Sequence, residues 1–566
     1  MALQAGQFVT RNGQDLYDPT TKTPLRFASF NTPELAYLDD PDRLVPLLYE
    51  QEDLLRSVSD FGGRVVRTYV LSVQTKGDGV YDNGGNSPPT KHIIKRRNNS
   101  TAPAGQVFDL NEPLMRGLDN ALAAAGRMGI RIIFPFIDQW EWWGGCKQFV
   151  QLVDPALEQT AFFTEHRVVD QFKLLIQAVL NRNNTVNGLL YRDDPALLAW
   201  ETGNELEYNK GRVPTAWTKD IAAHIKSIDK NHLVMDGSWQ FGWDATVLDD
   251  PNIDMYSNHY YPGFMRTTTK TPQIGGIIAL AGVMILGFLL LILVSCFSHR
   301  FRFLKKPTMY EHVYMESKAR KRITMAAALV IIGGSIGGIA VLNRNNNQQS
   351  LYGDLAAEDA AIVASHNKVY IAGEFGLAPS AAMQSMLTTA VDQPSKGFAG
   401  ALVWSLRGHS RNGGFYIHSE SGEGYFSYHY PGFPSTGPGF PADDISTIKL
   451  VKQAARDMAA KTGYTIPAPT VPIPPSIIAS VSTTQDLRFM GSATASSYEI
   501  QRADGANAPA TANWQPVKTD FLDNITQNST MFKDTTAKAG TTYSYRVRAK
   551  NDVGVSEFSN VVSLVG

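Results

Sequence analysis

Eight short apolar runs, helical stretches between them, and polar or aromatic residues just past several of the runs together predict a (β/α)8 barrel, a TIM-barrel fold of class α/β, over most of this 566-residue chain. The runs are Leu25–Phe30, Arg64–Val70, Arg131–Ile137, Leu197–Trp200, Leu233–Met235, Ile253–Ser257, Lys368–Ala372 and Ala399–Trp404. Leu114–Met128, Thr164–Leu180 and Ala216–Ile228 read as helices between them. Strand, helix, strand repeated eight times is the grammar of parallel strands joined by crossover helices. An open doubly wound sheet shares that grammar. The barrel is preferred because the polar and aromatic clusters follow the runs, on the side where barrel active sites sit.

The remaining regions separate by composition. Residues 1–265 hold six of the runs and residues 351–465 hold two. Between them, 266–350 contains two uncharged apolar stretches, Ile274–Phe297 with 24 residues and Ile323–Leu342 with 20. Each reaches the ~20 residues that a bilayer span requires. The segment joining them, Ser298–Arg322, carries eight basic residues and two acidic ones. The expectation is therefore a transmembrane hairpin whose basic loop faces the cytoplasm, with both parts of the barrel on the opposite side. The hairpin interrupts the connection after the sixth strand, and its eight-residue flanks reach at most ~27 Å each, so it would hold the catalytic mouth near a membrane. The competing reading is a segment foreign to the mature enzyme. Residues 466–475 form a linker, with five Pro between Pro467 and Pro475 stiffening it. Residues 476–566 alternate in strand fashion, as in Ser497–Gln501 and Thr542–Arg548, and predict a β-sandwich.

Composition narrows the function. Lys plus Arg is 52 against 53 Asp plus Glu, a net charge of −1, which excludes a broadly basic nucleic-acid binder. Cys146 and Cys296 are the only cysteines, too few for a disulfide framework or a thiolate metal cluster. No cofactor motif stands out, and the histidine spacings do not make a metal site. Met1–Gly13 lacks an apolar stretch of signal-peptide length. Sequons at Asn98, Asn99, Asn183, Asn524 and Asn528 fit a secretory route, so an extracellular or cell-surface location is expected.

Two carboxylates stand out by position. Glu205 follows the fourth run in WETGNEL, and Glu374 follows the seventh in YIAGEFG. Both would project into the barrel mouth. Two carboxyls about 5–5.5 Å apart suit retaining glycoside hydrolysis, one protonating the leaving oxygen and the other attacking the anomeric carbon. Asn204 could bond a sugar hydroxyl, Arg67 could keep Glu374 ionised, and His259 and Tyr261 end the sixth strand, where the phenol could bond the nucleophile. Trp404 offers a flat floor for a sugar ring. Trp140, Trp142 and Trp143 are candidate platforms for neighbouring sugar units, although a packed hydrophobic loop explains them equally well. His409, His418, Tyr425, Tyr428 and His429 follow the eighth strand and could line the same cleft.

Arg67, Asn204–Glu205, His259–Tyr260–Tyr261, Glu374 and Trp404 make residues 5–265 with 351–465 resemble glycoside hydrolase family 5. The resemblance implies that Glu205 is the acid/base and Glu374 the nucleophile. FIDQWEWWGG (Phe136–Gly145) and the opening LRFASFNTPEL are most similar to the fungal endo-β-1,4-mannanase branch, which implies a β-mannan substrate. A β-glucanase or cellulase of the same family is the alternative. A non-catalytic, membrane-anchored carbohydrate binder is a further one, but the carboxylate pair argues against it. The stretch Thr541–Asn560 resembles a fibronectin type III domain.

Overall fold

The computed structural model describes residues 2–38, 45–74, 92–97, 105–238, 242–261, 351–392, 397–418, 427–434, 444–523 and 530–566. The expected hairpin, at 274–297 and 323–342, lies outside them. Among the described residues no helix is long and apolar enough to cross a membrane.

Eight strands form one parallel sheet: β1 (Phe27–Phe30), β2 (Val65–Arg67), β3 (Arg131–Pro135), β4 (Leu197–Glu201), β5 (Leu233–Asp236), β6 (Met255–Tyr260), β7 (Val369–Phe375) and β8 (Phe398–Val403). From β2 to β8 each pairs with the next in chain order, and β8 returns to β1 with Gly400 opposite Phe27. The ring closes where Asn31, just past β1, bridges Arg67 at the end of β2, and Thr32 N–H donates to the Arg67 carbonyl at 2.8 Å. The structure ends β4 one residue later than the apolar run, at Glu201, and extends β6 through His259 and Tyr260. These polar residues belong to the strands because the parallel ladder continues beneath them, with His259 paired to Glu374 and Tyr260 to Phe375.

Helices follow the strands in turn: α1 (Leu48–Phe61), α2 (Glu112–Met128), α3 (His166–Leu180), α4 (Thr215–Ile228), the single turn α5 (Ala245–Leu248), α6 (Leu351–Ser365), α7 (Ser380–Asp392) and α8 (Asp444–Thr462). Their ends follow local chemistry. α2 starts with a proline in its first turn, where no donor is lost, and stops at Gly129, whose φ of +75° suits a residue without Cβ. α1 ends at Gly62 with φ +91°, and a Cβ there would run into Ile466.

The core sits towards the N-terminal ends of the strands, where Leu25, Phe27, Val65, Ile133, Leu198, Leu233, Met255, Val369 and Ile371 meet. Val9 and Leu16, flanking and within the hairpin Thr10–Asn12/Asp15–Asp18, plug that end. Asp18 then accepts from Arg64 at 2.9 Å and Arg131 at 2.8 Å, all buried. This end is closed, so chemistry is left to the other rim, as in barrels generally.

The C-terminal region has a four-stranded antiparallel sheet, β9 (Ser497–Asp504), β10 (Gln515–Phe521), β11 (Thr542–Lys550) and β12 (Val562–Val565), in the order β10-β9-β11-β12. A separate pair, Ser476–Ile477 with Phe489–Met490, joins it over one core that includes Ile477, Phe489, Tyr498, Tyr545 and Val547.

Candidate active site

Every carboxylate of interest emerges at the C-terminal rim. β4 ends at Glu201, and the chain then turns so that Glu205 stands over the ring. Glu205 has φ +53°, a left-handed conformation that costs a residue with a Cβ about 1–2 kcal/mol. Glu374 lies within β7. Together with His259, the two glutamates offer one ligand-type atom each within 4.8 Å of one another. The two carboxyl groups thus bring oxygens to within 4.8 Å of each other, close enough for the short separation of about 5–5.5 Å that retaining glycosidases use.

Each carboxylate oxygen of this pair already has a protein donor or partner. Trp140 Nε1–H donates to Glu205 Oε2 at 2.5 Å, and His259 Nδ1 lies 2.8 Å from Glu205 Oε1. Arg67 Nη1 donates to Glu374 Oε1 at 2.5 Å, and the Tyr261 hydroxyl donates to Glu374 Oε2 at 2.6 Å. His259 Nδ1 is also 3.5 Å from Glu374 Oε2. Burial pushes His259 down to about 4 against the pull of Glu374, and Arg67 depresses it further. The imidazole is therefore neutral at pH 7 and adds no charge between the two glutamates. Two carboxylates and an imidazole could in principle hold a divalent cation. Here Arg67 already brings a fixed positive charge onto Glu374, so the set suits proton transfer better than metal binding.

Arg67 organises the site from below. Besides Glu374, its guanidinium donates to Glu201 at 2.7 and 3.1 Å, to Asn204 Oδ1 at 2.8 Å and to Asn31 Oδ1 at 3.3 Å. Arg67 is completely buried and Asn204 nearly so. A strand-end arginine in a barrel mouth also reads as a substrate contact, but no part of this side chain is left for a substrate, and it holds the carboxylates from behind. Asn204 Nδ2 donates to Asp138 at 3.0 Å, which uses one of its two hydrogens.

Three contributors escape the sequence. Glu201, the last residue of β4, is wholly buried; burial pushes it up to about 7, more than Arg67 lowers it. Asp138 is likewise raised to about 7 by burial, although Asn204 and the Tyr69 hydroxyl, at 2.7 Å, donate to it. Tyr69 joins the ring wall beside Trp404, with centroids 5.9 Å apart. Glu201 stands in the same WETGNEL phrase as Glu205, and its place at a strand end was the available signal.

The tryptophans divide. Trp140 is 39% exposed and touches Glu205 through its N–H, so it belongs to the site directly. Trp142 is half-buried and lies 5.4 Å from Tyr69 and 5.7 Å from His418. Trp404 is buried, with its ring 5.9 Å from that of Tyr69. Trp143 corrects the expectation of a sugar platform. It is 1% exposed and walled by Tyr37 and Tyr69, edge-on at 5.1 and 5.5 Å, so it is packing under the loop. His409, Tyr428 and His429 are also buried and do not line the cleft, whereas Tyr425 lies outside the described residues. Of the sequons, Asn183 is exposed and the other four lie outside the described residues.

Fold and site together define a closed parallel barrel with a facing pair of glutamates at its C-terminal rim. Residues 90–267 match the family described as GH family 5 beta-mannosidase-like. That span contains Glu201, Glu205, His259 and Tyr261 but ends before Glu374, so Glu374 is placed by geometry. The chain is 39% identical over 177 residues to mannan endo-1,4-beta-mannosidase 7 of Arabidopsis thaliana, covering 27% of this chain and 41% of that protein. It is 34% identical over 179 residues to mannan endo-1,4-beta-mannosidase 1 of Oryza sativa subsp. japonica, again covering 27% and 41%. The matches thus span about two fifths of the length of these curated relatives. Among solved structures, the endo-1,4-beta-mannanase from Rhizomucor miehei matches 80% of this chain and 99% of its own, at 19% identity and a TM-score of 0.50. A glycoside hydrolase family 5 mannosidase from the same organism covers 80% and 98%, at 16% identity and a TM-score of 0.51. At such identities the likeness is one of fold.

Proposed function

We propose that this chain is a retaining endo-acting glycoside hydrolase of family 5 that cleaves β-1,4 linkages in mannan-type polysaccharide. The observation that carries the reading is the pair Glu205 and Glu374, brought face to face at the catalytic rim of a barrel. The mannan preference follows the plant relatives named above.

Glu374 attacks the anomeric carbon while Glu205 gives its proton to the departing sugar oxygen, leaving a covalent glycosyl-enzyme. Glu205, now a carboxylate, takes a proton from water, which attacks the same carbon from the leaving-group side, and configuration is retained. Arg67 and Tyr261 hold Glu374 in place and aimed through their two hydrogen bonds. Neutral His259 fixes Glu205 in place without repelling or attracting a second charge. Trp140 presents apolar ring surface beside the pair, suited to stacking on the flat faces of sugars, and Trp404, packed against Tyr69, borders it. A polymeric substrate and the exposed sequon at Asn183 support an extracellular setting. We read the C-terminal β module as fibronectin type III-like, in line with its antiparallel strands.

The test is chemical. Glu374→Ala should lose at least 1000-fold of its hydrolysis of galactomannan, and added azide should restore turnover as a glycosyl azide of inverted configuration. Glu205→Ala should lose less on a substrate with a good leaving group than on mannan, because acid assistance then matters less. Ivory-nut mannan, glucomannan, cellulose and β-1,3-glucan compared side by side read the sugar preference; turnover of cellulose alone would displace the mannan reading.

A further inference from the structure

We infer that the C-terminal β module is a brace for the rim of the cleft: Asp523 of the module and Asp53 of α1 hold His409 between them and so fix the loop that runs from Trp404 to His418. The inference uses the proposed function only in taking that rim to meet substrate.

His409 Nδ1 lies 2.7 Å from Asp53 Oδ2 and Nε2 lies 3.2 Å from Asp523 Oδ2, with the three side chains 1%, 1% and 0% exposed. An imidazole can give both carboxylates a hydrogen only as the imidazolium. Burial alone would neutralise it, but Asp53 and Asp523 prevail and push its pKa up to about 10. A buried cation bonded on both sides to anions from two different modules is a joint, because neither anion would be stable there alone. The joint is packed as well as charged. Phe415 stacks on the His409 ring at 3.9 Å. Gly491 of the module lies so close that a Cβ would strike that ring. The Tyr49 hydroxyl of α1 donates to the Gly491 carbonyl at 2.5 Å, and Arg488 of the module donates to the Asn412 carbonyl at 3.0 Å.

The same loop is tied to α1 a second time. Arg411 and Tyr416 donate to Glu50 at 2.6 and 2.7 Å. Two residues past Tyr416, the His418 ring lies 5.7 Å from Trp142. Five residues before His409 stands Trp404. The module thus reaches the cleft through one short, doubly anchored loop. By contrast, the covalent link is thin, with Pro467–Val471 exposed.

The test uses the full chain with a site-specific protease sequence inserted after Pro469. Once cut, the wild type should still elute as one species on size exclusion, and His409→Gln should separate into two. Uncut His409→Gln should show a five- to tenfold higher KM for mannohexaose, with kcat within twofold of the wild type. Asp523→Asn should raise KM as His409→Gln does, and Asp523→Glu, which keeps the charge, should stay near the wild type. If His409→Gln does not fold, the Asp523 pair carries the same comparison. A cut wild type that falls apart overturns the brace, as does a separating variant whose KM is unchanged. Co-elution is read without any turnover, so a chain inactive on every glycan would refute the proposed function and leave the joint to stand or fall by itself.

Discussion

At the strand N-termini, Arg64 and Arg131 share the single carboxylate of Asp18; at the C-termini, Glu201 and Glu374 share the single guanidinium of Arg67. Both groups are buried, and their proportions set their chemistry. Burial works to raise Asp18, but Arg131 and Arg64 outweigh it and hold the carboxyl below its ordinary value. Nothing titrates there near neutrality, and the cluster serves as a lock beneath the plug. At the rim one cation faces two anions, and burial, which Arg67 does not outweigh, raises Glu201 to about 7, as burial also raises Asp138. An excess of cation makes an inert fastening, and an excess of anion makes a site where protons come and go.

Breaking each cluster at its arginine should separate stability from turnover most sharply. Arg67→Met leaves Glu201 and Glu374 buried without a cation, and should cost about 3–5 kcal/mol together with more than 99% of mannan hydrolysis. Arg131→Met should cost stability of the same order in urea unfolding while its kcat stays near the wild-type value. A comparable collapse of kcat in Arg131→Met would erase the division between the two ends.

The two ends should also differ in the sign of their pH dependence. Asp18 is depressed when folded, so its contribution is present above its unfolded value of 3.8 and is lost as pH falls through the lower folded value. Glu201 is raised from 4.5 to about 7, so the folded chain holds a proton that the unfolded chain has released. Stability from this group falls as pH rises from 4.5 through 7. Thermal melts of Glu201→Gln should show a flatter slope than the wild type between pH 5 and 7, and those of Asp18→Asn should lie below the wild type above pH 3.8, with the gap closing at the acid end. An unchanged slope in Glu201→Gln would assign the shifted proton elsewhere.

The smallest expected effect sharpens the rim itself. Trp140→Phe removes one hydrogen bond to Glu205 and should lower kcat/KM about tenfold, in line with about 1.5 kcal/mol for a bond to a charged group, with little change in melting. Trp143→Ala should instead lower stability by about 3–5 kcal/mol. A loss confined to activity in Trp143→Ala would restore that residue as a sugar contact.

What the sequence shows and hides follows from range. The strands are legible because each is a short local run, and barrel grammar then places Glu205 and Glu374 at one rim without any coordinates. Glu201 is hidden because its meaning depends on Arg67, 134 positions away, lying across the closed ring. Trp140 and Trp143 look alike in WEWW, and only the turn of the loop decides which ring faces the cleft. His409 finds one of its anions 114 positions on, in another module, and no spacing rule reaches that far.

The left-handed backbone at Glu205 carries one more consequence. Glycine is at ease in that conformation, so Glu205→Gly should melt higher than Glu205→Ala, although both have lost the carboxylate proposed as the acid. On that expectation the sturdiest version of this turn is one without the carboxylate, and the side chain at this position is held against the preference of its own main chain.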